Sequence, residues 1–195
     1  MTTVALSGCG SRVFETSYAA PVSVDVSKTW HVADVVVSLP KKLTVSEEHV
    51  YEPKADIVWR EDPMGDRRPQ VAAIMKEAIS RGAKGLHGGR AVRMEATLIR
   101  FHALTFETES LNLAGIGVHN IDFTLRVVDA HSGEVLAGPD TIDASLPALT
   151  GTEMIKARLR GESQKSQIEA HVAATIAGWL GTGPDQRDSF VRIGG

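Results

Sequence analysis

Apolar residues along this chain recur with two periods, and the switches between them mark out its elements. Thr29 to Leu39 (TWHVADVVVSL) is rich in β-branched residues and reads as a strand closed by Pro40. Ala55 to Arg60 is a second apolar burst, ended by a turn-rich Glu-Asp-Pro-Met-Gly-Asp stretch. From Asp66, a suitable N-cap, the period becomes helical. Val71, Ile74, Met75, Ala78 and Ile79 share one face of a helix that runs to about Arg81, with Gly82 as its stop. After a glycine-rich turn (Gly85 to Gly89), Val92, Met94, Ala96 and Leu98 alternate with polar residues. The phase slips at Ile99 and resumes at Phe101 and Ala103, which predicts a β-bulge. Asn120 to Val128 is a further strand with Ile121, Phe123, Leu125 and Val127 inward. Asp129 to Gly133 is a hairpin turn, and the return strand starts at Glu134 and extends from Thr141 to Leu146. Two helices close the pattern: a short one over 152–160 and a longer one from Ser163 to Leu180, with Ile168, Val172, Ile176, Trp179 and Leu180 on one face. These elements predict an α+β domain: a mostly antiparallel twisted sheet with two main helices packed on one face.

Composition narrows the class. With 195 residues, 43% hydrophobic and 23% charged, the chain suits one globular domain. A net charge of −3 with scattered Lys and Arg argues against nucleic acid as a partner. No run approaches the ~20 apolar residues of a membrane-spanning helix. The one cysteine, Cys9, forms no internal disulfide and rules out a zinc site of paired cysteines.

Cys9 changes the picture most. Leu6, Ser7, Gly8 and Cys9 resemble the bacterial lipobox: an aliphatic residue, two small residues that let an extended segment reach the peptidase, then the cysteine. The resemblance implies cleavage before Cys9, a thioether-linked diacylglycerol on its sulfur and an acylated new amino terminus. Dual acylation anchors firmly where one chain is marginal. Residues 1–8 then read as the remainder of a signal peptide, 9–28 as lipidated terminus and tether, 29–181 as the domain, and 182–195 as a polar tail. Gly10, rather than Asp, after the cysteine implies the outer membrane, with the domain facing the periplasm.

The strand–turn–strand Leu125-Arg-Val-Val-Asp-Ala-His-Ser-Gly-Glu-Val-Leu136, set between helices, resembles small periplasmic α+β auxiliary lipoproteins of envelope transport systems. Ala55-Asp-Ile-Val-Trp-Arg-Glu-Asp-Pro63 with Gly65-Asp66-Arg67 resembles an uncharacterised lipoprotein family of Rhodobacter-type alphaproteobacteria. The resemblance implies location and fold, and no reaction.

Candidate chemistry is sparse. His31, His49, His87, His102, His119, His131 and His171 form no short-spaced metal pair, and the best gathering would bring His87, His102 and His119 to one end of the sheet. There is no Gly-x-Ser-x-Gly elbow. Glu107 with Glu109, and Asp140 with Asp143, read as solvated carboxylates rather than acid–base partners. Trp30 and Trp59 flank strands, and with Phe101 they are the candidate ligand or partner surface. Arg67 and Arg68 in a first helical turn oppose the dipole, which points to a partner surface or a salt bridge to Glu61 or Asp62. The sequence predicts a non-enzymatic lipoprotein, with no cofactor and no metal, that binds a protein or envelope component. The alternative is a transport auxiliary with an apolar groove for lipid between sheet and helices, and a hydrolase is a third.

Overall fold

A computed structural model describes residues 11–113 and 115–193. Its elements, in order, are β1 (Ser11–Ser17), α1 (Val24–Ser27), β2 (Trp30–Ser38), β3 (Ile57–Val58), α2 (Arg67–Gly82), β4 (Arg90–His102), α3 (Phe106–Glu109), β5 (Val118–Asp129), β6 (Val135–Ala144), β7 (Leu146–Pro147), α4 (Gly151–Leu159), α5 (Gln164–Trp179) and β8 (Asp188–Ile193). The sheet has eight strands in the order β2-β4-β5-β6-β1-β8, with β3 added to β4 and β7 to β5. It is mixed but mostly antiparallel: β2 and β3 run parallel to β4. The α+β expectation holds.

One face is the core. Met94, Leu98, Phe123 and Leu125 from the sheet join Val71, Ile74, Met75 and Ile79 of α2 and Ile168, Val172 and Ile176 of α5 in one buried cluster. Both helices start as the sequence predicts. The Asp66 carboxylate accepts from the Arg68 N–H at 3.0 Å, and Ser163 and Ser166 form a reciprocal capping box on α5. Gly82 ends α2, though not as a left-handed stop. A Cβ there would lie 2.5 Å from the Ala173 carbonyl oxygen, so the glycine is what lets α2 and α5 close on each other. The bulge falls between Leu98 and Arg100, as the phase slip requires.

The chain ends differ from expectation. Residues read as tether and tail contain β1 and β8, which pair antiparallel from Ser11↔Ile193 to Thr16↔Asp188. Only Thr16 and Ser17 join this ribbon to β6. Phe14 stacks on Phe190 with centroids 5.9 Å apart. Tyr18 ties the two segments together: its hydroxyl donates to Asp185 at 2.7 Å and accepts from the Gln186 N–H at 3.0 Å.

Candidate functional site

Trp30, Trp59 and Phe101, the sequence's candidate surface, are buried to 1% exposure or less, which corrects that assignment. Trp59 meets Phe101 edge to face at 5.8 Å, and its indole N–H donates to Asp62 at 2.8 Å. All three belong to the buried cluster that α2 and α5 share with the sheet, where burying an aromatic body is the larger gain. Cys9, Leu6, Ser7 and Gly8 lie outside the described residues.

The opposite face of the sheet carries polar side chains. Glu95 of β4 accepts from the Arg93 Nε and from the Arg126 Nε, each at 2.8 Å, which makes a charged strip across β4 and β5. Those two guanidinium partners hold the Glu95 carboxyl below its ordinary range. Beside the strip is a cleft of about 450 Å³, lined by Val36, Ser38, Thr97, Thr124, Arg126 and Pro139.

Further along the same face, Asp122 of β5 stands directly opposite Asp143 of β6. Asp143 is a sequence candidate, but the structure pairs it with Asp122 rather than Asp140. The two side chains lie close enough for each to shift the acidity of the other. Burial, followed by the charge of Asp143, pushes Asp122 up to about 6, while Arg100, its register partner on β4, opposes the shift. Burial also raises Asp143, with Glu15 of β1 adding like charge and the Ser145 backbone N–H, donating at 2.8 Å, working against it. The pair therefore shares one proton through mildly acidic conditions, and once deprotonated it is suited to a cationic side chain.

His87, His102 and His119 are not brought together in one group. His87 is exposed, and His119 lies close enough to His102 and His171 to feel their charge. His119 is fully buried, and neither ring nitrogen has a hydrogen-bond partner among the described residues. Burial is the main reason its imidazole is pushed down to about 3. Its signal was in the alternation, because 119 has the same parity as Ile121, Phe123, Leu125 and Val127. His102 bonds the Pro53 carbonyl at 3.0 Å. His171 borders a cleft of about 430 Å³ beside β1, where it meets the Thr16 hydroxyl at 2.9 Å. That hydroxyl donates to the Ser145 carbonyl at 2.9 Å, so its proton is committed and it serves as a strut rather than a nucleophile. Among the described residues no three His, Cys, Asp or Glu side chains are grouped to hold a metal ion.

Other candidates have structural partners. Glu109 accepts from Arg158 at 2.8 Å, Glu107 meets His49 at 3.0 Å, and Asp140 accepts from the Trp179 indole at 2.9 Å. Arg67 is buried, and its Nε donates to Glu47 at 2.7 Å rather than to the side chain of Glu61 or Asp62. Arg68 donates to the carbonyls of Pro40, Lys41 and Leu43. The two arginines thus brace the 40–47 loop and outweigh the small dipole cost of cations in that turn.

A candidate lipoprotein from Caulobacter crescentus CB15 is 19% identical, with a TM-score of 0.33 over 58% of this chain and 85% of that one. The PelC dodecamer from Paraburkholderia phytofirmans is 12% identical, with a TM-score of 0.35 over 86% of this chain and 96% of that one. No curated protein matches the chain. A family model does match, over residues 30–195, and the chain belongs to that family of unknown function, DUF6778.

Proposed function

We propose that this protein is a non-enzymatic envelope lipoprotein, anchored through Cys9 in the outer membrane, whose domain faces the periplasm and binds a protein or envelope component. The observation that carries the proposal is the Leu6-Ser7-Gly8-Cys9 sequence placed two residues before β1. An acylated cysteine there holds the outer strands of the sheet, and with them the whole domain, beside the bilayer. Gly10 supports the outer-membrane address. The helix-free face supports the binding role: it offers the Arg93–Glu95–Arg126 strip and the Asp122–Asp143 pair to a polar partner, while the other face is spent on the core. The transport-auxiliary alternative calls for an apolar groove between sheet and helices, and the burial of Trp30, Trp59 and Phe101, which could have lined one, gives it no support.

Metabolic labelling with a fatty-acid analogue tests the anchor in cells that express the gene with its native upstream DNA. The wild-type chain takes up label and Cys9→Ala does not; equal labelling of the two sinks the proposal. A photo-crosslinking residue at Thr124 on the open face then traps a partner more efficiently than one at Ser132 in the β5–β6 turn.

A further inference from the structure

The geometry points to the β1–β8 ribbon as a second, non-covalent membrane contact, an amphipathic strand pair that rests in the anionic headgroup layer next to the anchor. The inference rests on the lipid anchor at Cys9, and three observations carry it.

The first is reach. Two residue steps separate Cys9 from Ser11, so their Cα atoms are at most about 7 Å apart. Val13 is two strand residues further, roughly another 7 Å. The headgroup layer on each side of the hydrocarbon is itself roughly 5–7 Å thick. A lipidated Cys9 therefore leaves the ribbon's free end no position far from that layer.

The second is what the end presents. Val13 and Val191 oppose each other in register, and Ile193 follows on the same side. Their exposures are 73%, 55% and 41%, large for apolar side chains gathered at one tip. Strand alternation makes this a row on one face of the ribbon.

The third is charge. Arg12 stands directly opposite Arg192. Like charges placed across a strand pair destabilise it, and an anion between them removes the conflict. Arg12 reaches Glu52 at 3.5 Å with both side chains well exposed, while among the described residues Arg192 meets no carboxylate; its guanidinium lies over the Phe190 ring at 5.9 Å. Alternation puts the two arginines on the ribbon face opposite the apolar row, an amphipathic arrangement that matches phosphate above acyl chain. The ribbon also ends against the start of β5, where the Ile193 N–H donates to the Gly115 carbonyl at 2.9 Å, so whatever fixes the tip also fixes the domain's tilt.

The test uses the full chain. In the lipidated protein the Cys9 sulfur is occupied, so Val191→Cys introduces one reactive thiol for an environment-sensitive fluorophore, and Ser132→Cys does the same about 40 Å away at the far end of β5. In vesicles of phosphatidylethanolamine and phosphatidylglycerol, the label at 191 shifts to the blue and loses quenching by iodide, while the label at 132 does neither. Equal quenching at both positions on the anchored protein overturns the ribbon contact and leaves the anchor standing. If fatty-acid labelling shows no lipid at Cys9, the unlipidated chain decides the matter alone. Arg12→Gln with Arg192→Gln is then expected to lower its partition onto the same vesicles by roughly tenfold or more, since each surface arginine contributes roughly a fivefold factor. An unchanged partition overturns the inference. Arg12 is exposed and Arg192 half-buried, and an unchanged circular-dichroism melting curve confirms that these variants fold.

Discussion

At the centre of the sheet, β4 and β5 bury Val92, Met94, Ala96, Leu98, Ile121, Phe123, Leu125 and Val127 under α2 and α5, whereas along β1 and β8 only Thr16 is buried. Both regions are antiparallel strand pairs, yet they are held by different forces. The centre is stabilised by apolar area removed from water, roughly 25 cal/mol for each Å², which does not depend on what surrounds the protein. The ribbon is held by its ladder, the Phe14–Phe190 stack and the Tyr18 bonds, and it leaves its aliphatic side chains outside. A region stabilised without using its apolar groups keeps them available for another surface. The sharpest way to break the comparison is truncation at each site. Phe123→Ala should cost about 3–5 kcal/mol in urea unfolding, and Val13→Ala should stay within about 0.5 kcal/mol. Similar losses at the two positions would mean the ribbon is core after all.

The next largest effect lies where the regions meet. His119 is buried near the β5–β7 junction with both ring nitrogens unpartnered. Its folded pKa of about 3 is below the unfolded value near 6.5, so the unfolded chain binds the proton first. Its contribution to stability is then complete above pH 6.5 and is lost as pH falls toward 3, a change on the order of 5 kcal/mol. His119→Leu removes two orphan polar atoms and should flatten this slope while leaving neutral-pH stability unchanged or higher. A wild-type slope retained in the variant would place the acid sensitivity elsewhere.

This contrast also explains what the sequence could tell. The α2 face from Val71 to Ile79, the capping at Ser163 and the slip at Ile99 are local patterns with enough apolar residues to set a period, and each corresponds to an observed element. β1 (SRVFETS) and β8 (DSFVRI) carry the same alternation, but their polar positions dominate and their partners are over 170 residues apart in the chain. Local pattern cannot see such a pairing, so β1 read as tether. The Asp122–Asp143 pair was hidden for a related reason. It depends on the β5–β6 register, which shifts between Leu125 and Val127, and no spacing along the chain encodes that. His119, by contrast, is legible by parity, since it shares the inward phase of Ile121, Phe123, Leu125 and Val127.

The ribbon's attachment can be weakened without touching its tip. Tyr18→Phe deletes the hydroxyl that joins Asp185 and the Gln186 N–H, and leaves the ring beside Arg187. A loss of about 1 kcal/mol is expected in global unfolding. Faster amide exchange should appear along β8 with the β4 and β5 amides unchanged. Faster exchange at the sheet centre as well would show that the two regions open together.

The smallest effect separates the open face from the core by the sign of its pH dependence. Asp122 is raised to about 6 by burial and by Asp143, against an ordinary value near 4. Here the folded state holds the proton more tightly, so the stabilisation is present below pH 4 and is lost as pH rises through 6. That is opposite to His119 over an overlapping range, and wild-type stability between pH 4 and 6 is the difference of two slopes. Asp122→Asn keeps a hydrogen-bond donor for Asp143 and removes one of the two negative charges. It should stabilise the protein on the order of 1 kcal/mol at pH 7.5, a figure already reduced for the solvent reaching this face, and make almost no difference at pH 4. Urea midpoints at the two pH values measure it, and an equal shift at both would mean the two carboxyls do not share a proton. Since Asp143 and Ser17 form one of the two register pairs that join β1 to β6, the relief at neutral pH should also slow amide exchange in β1. The charge state of the open face would then set how firmly the β1–β8 ribbon is held.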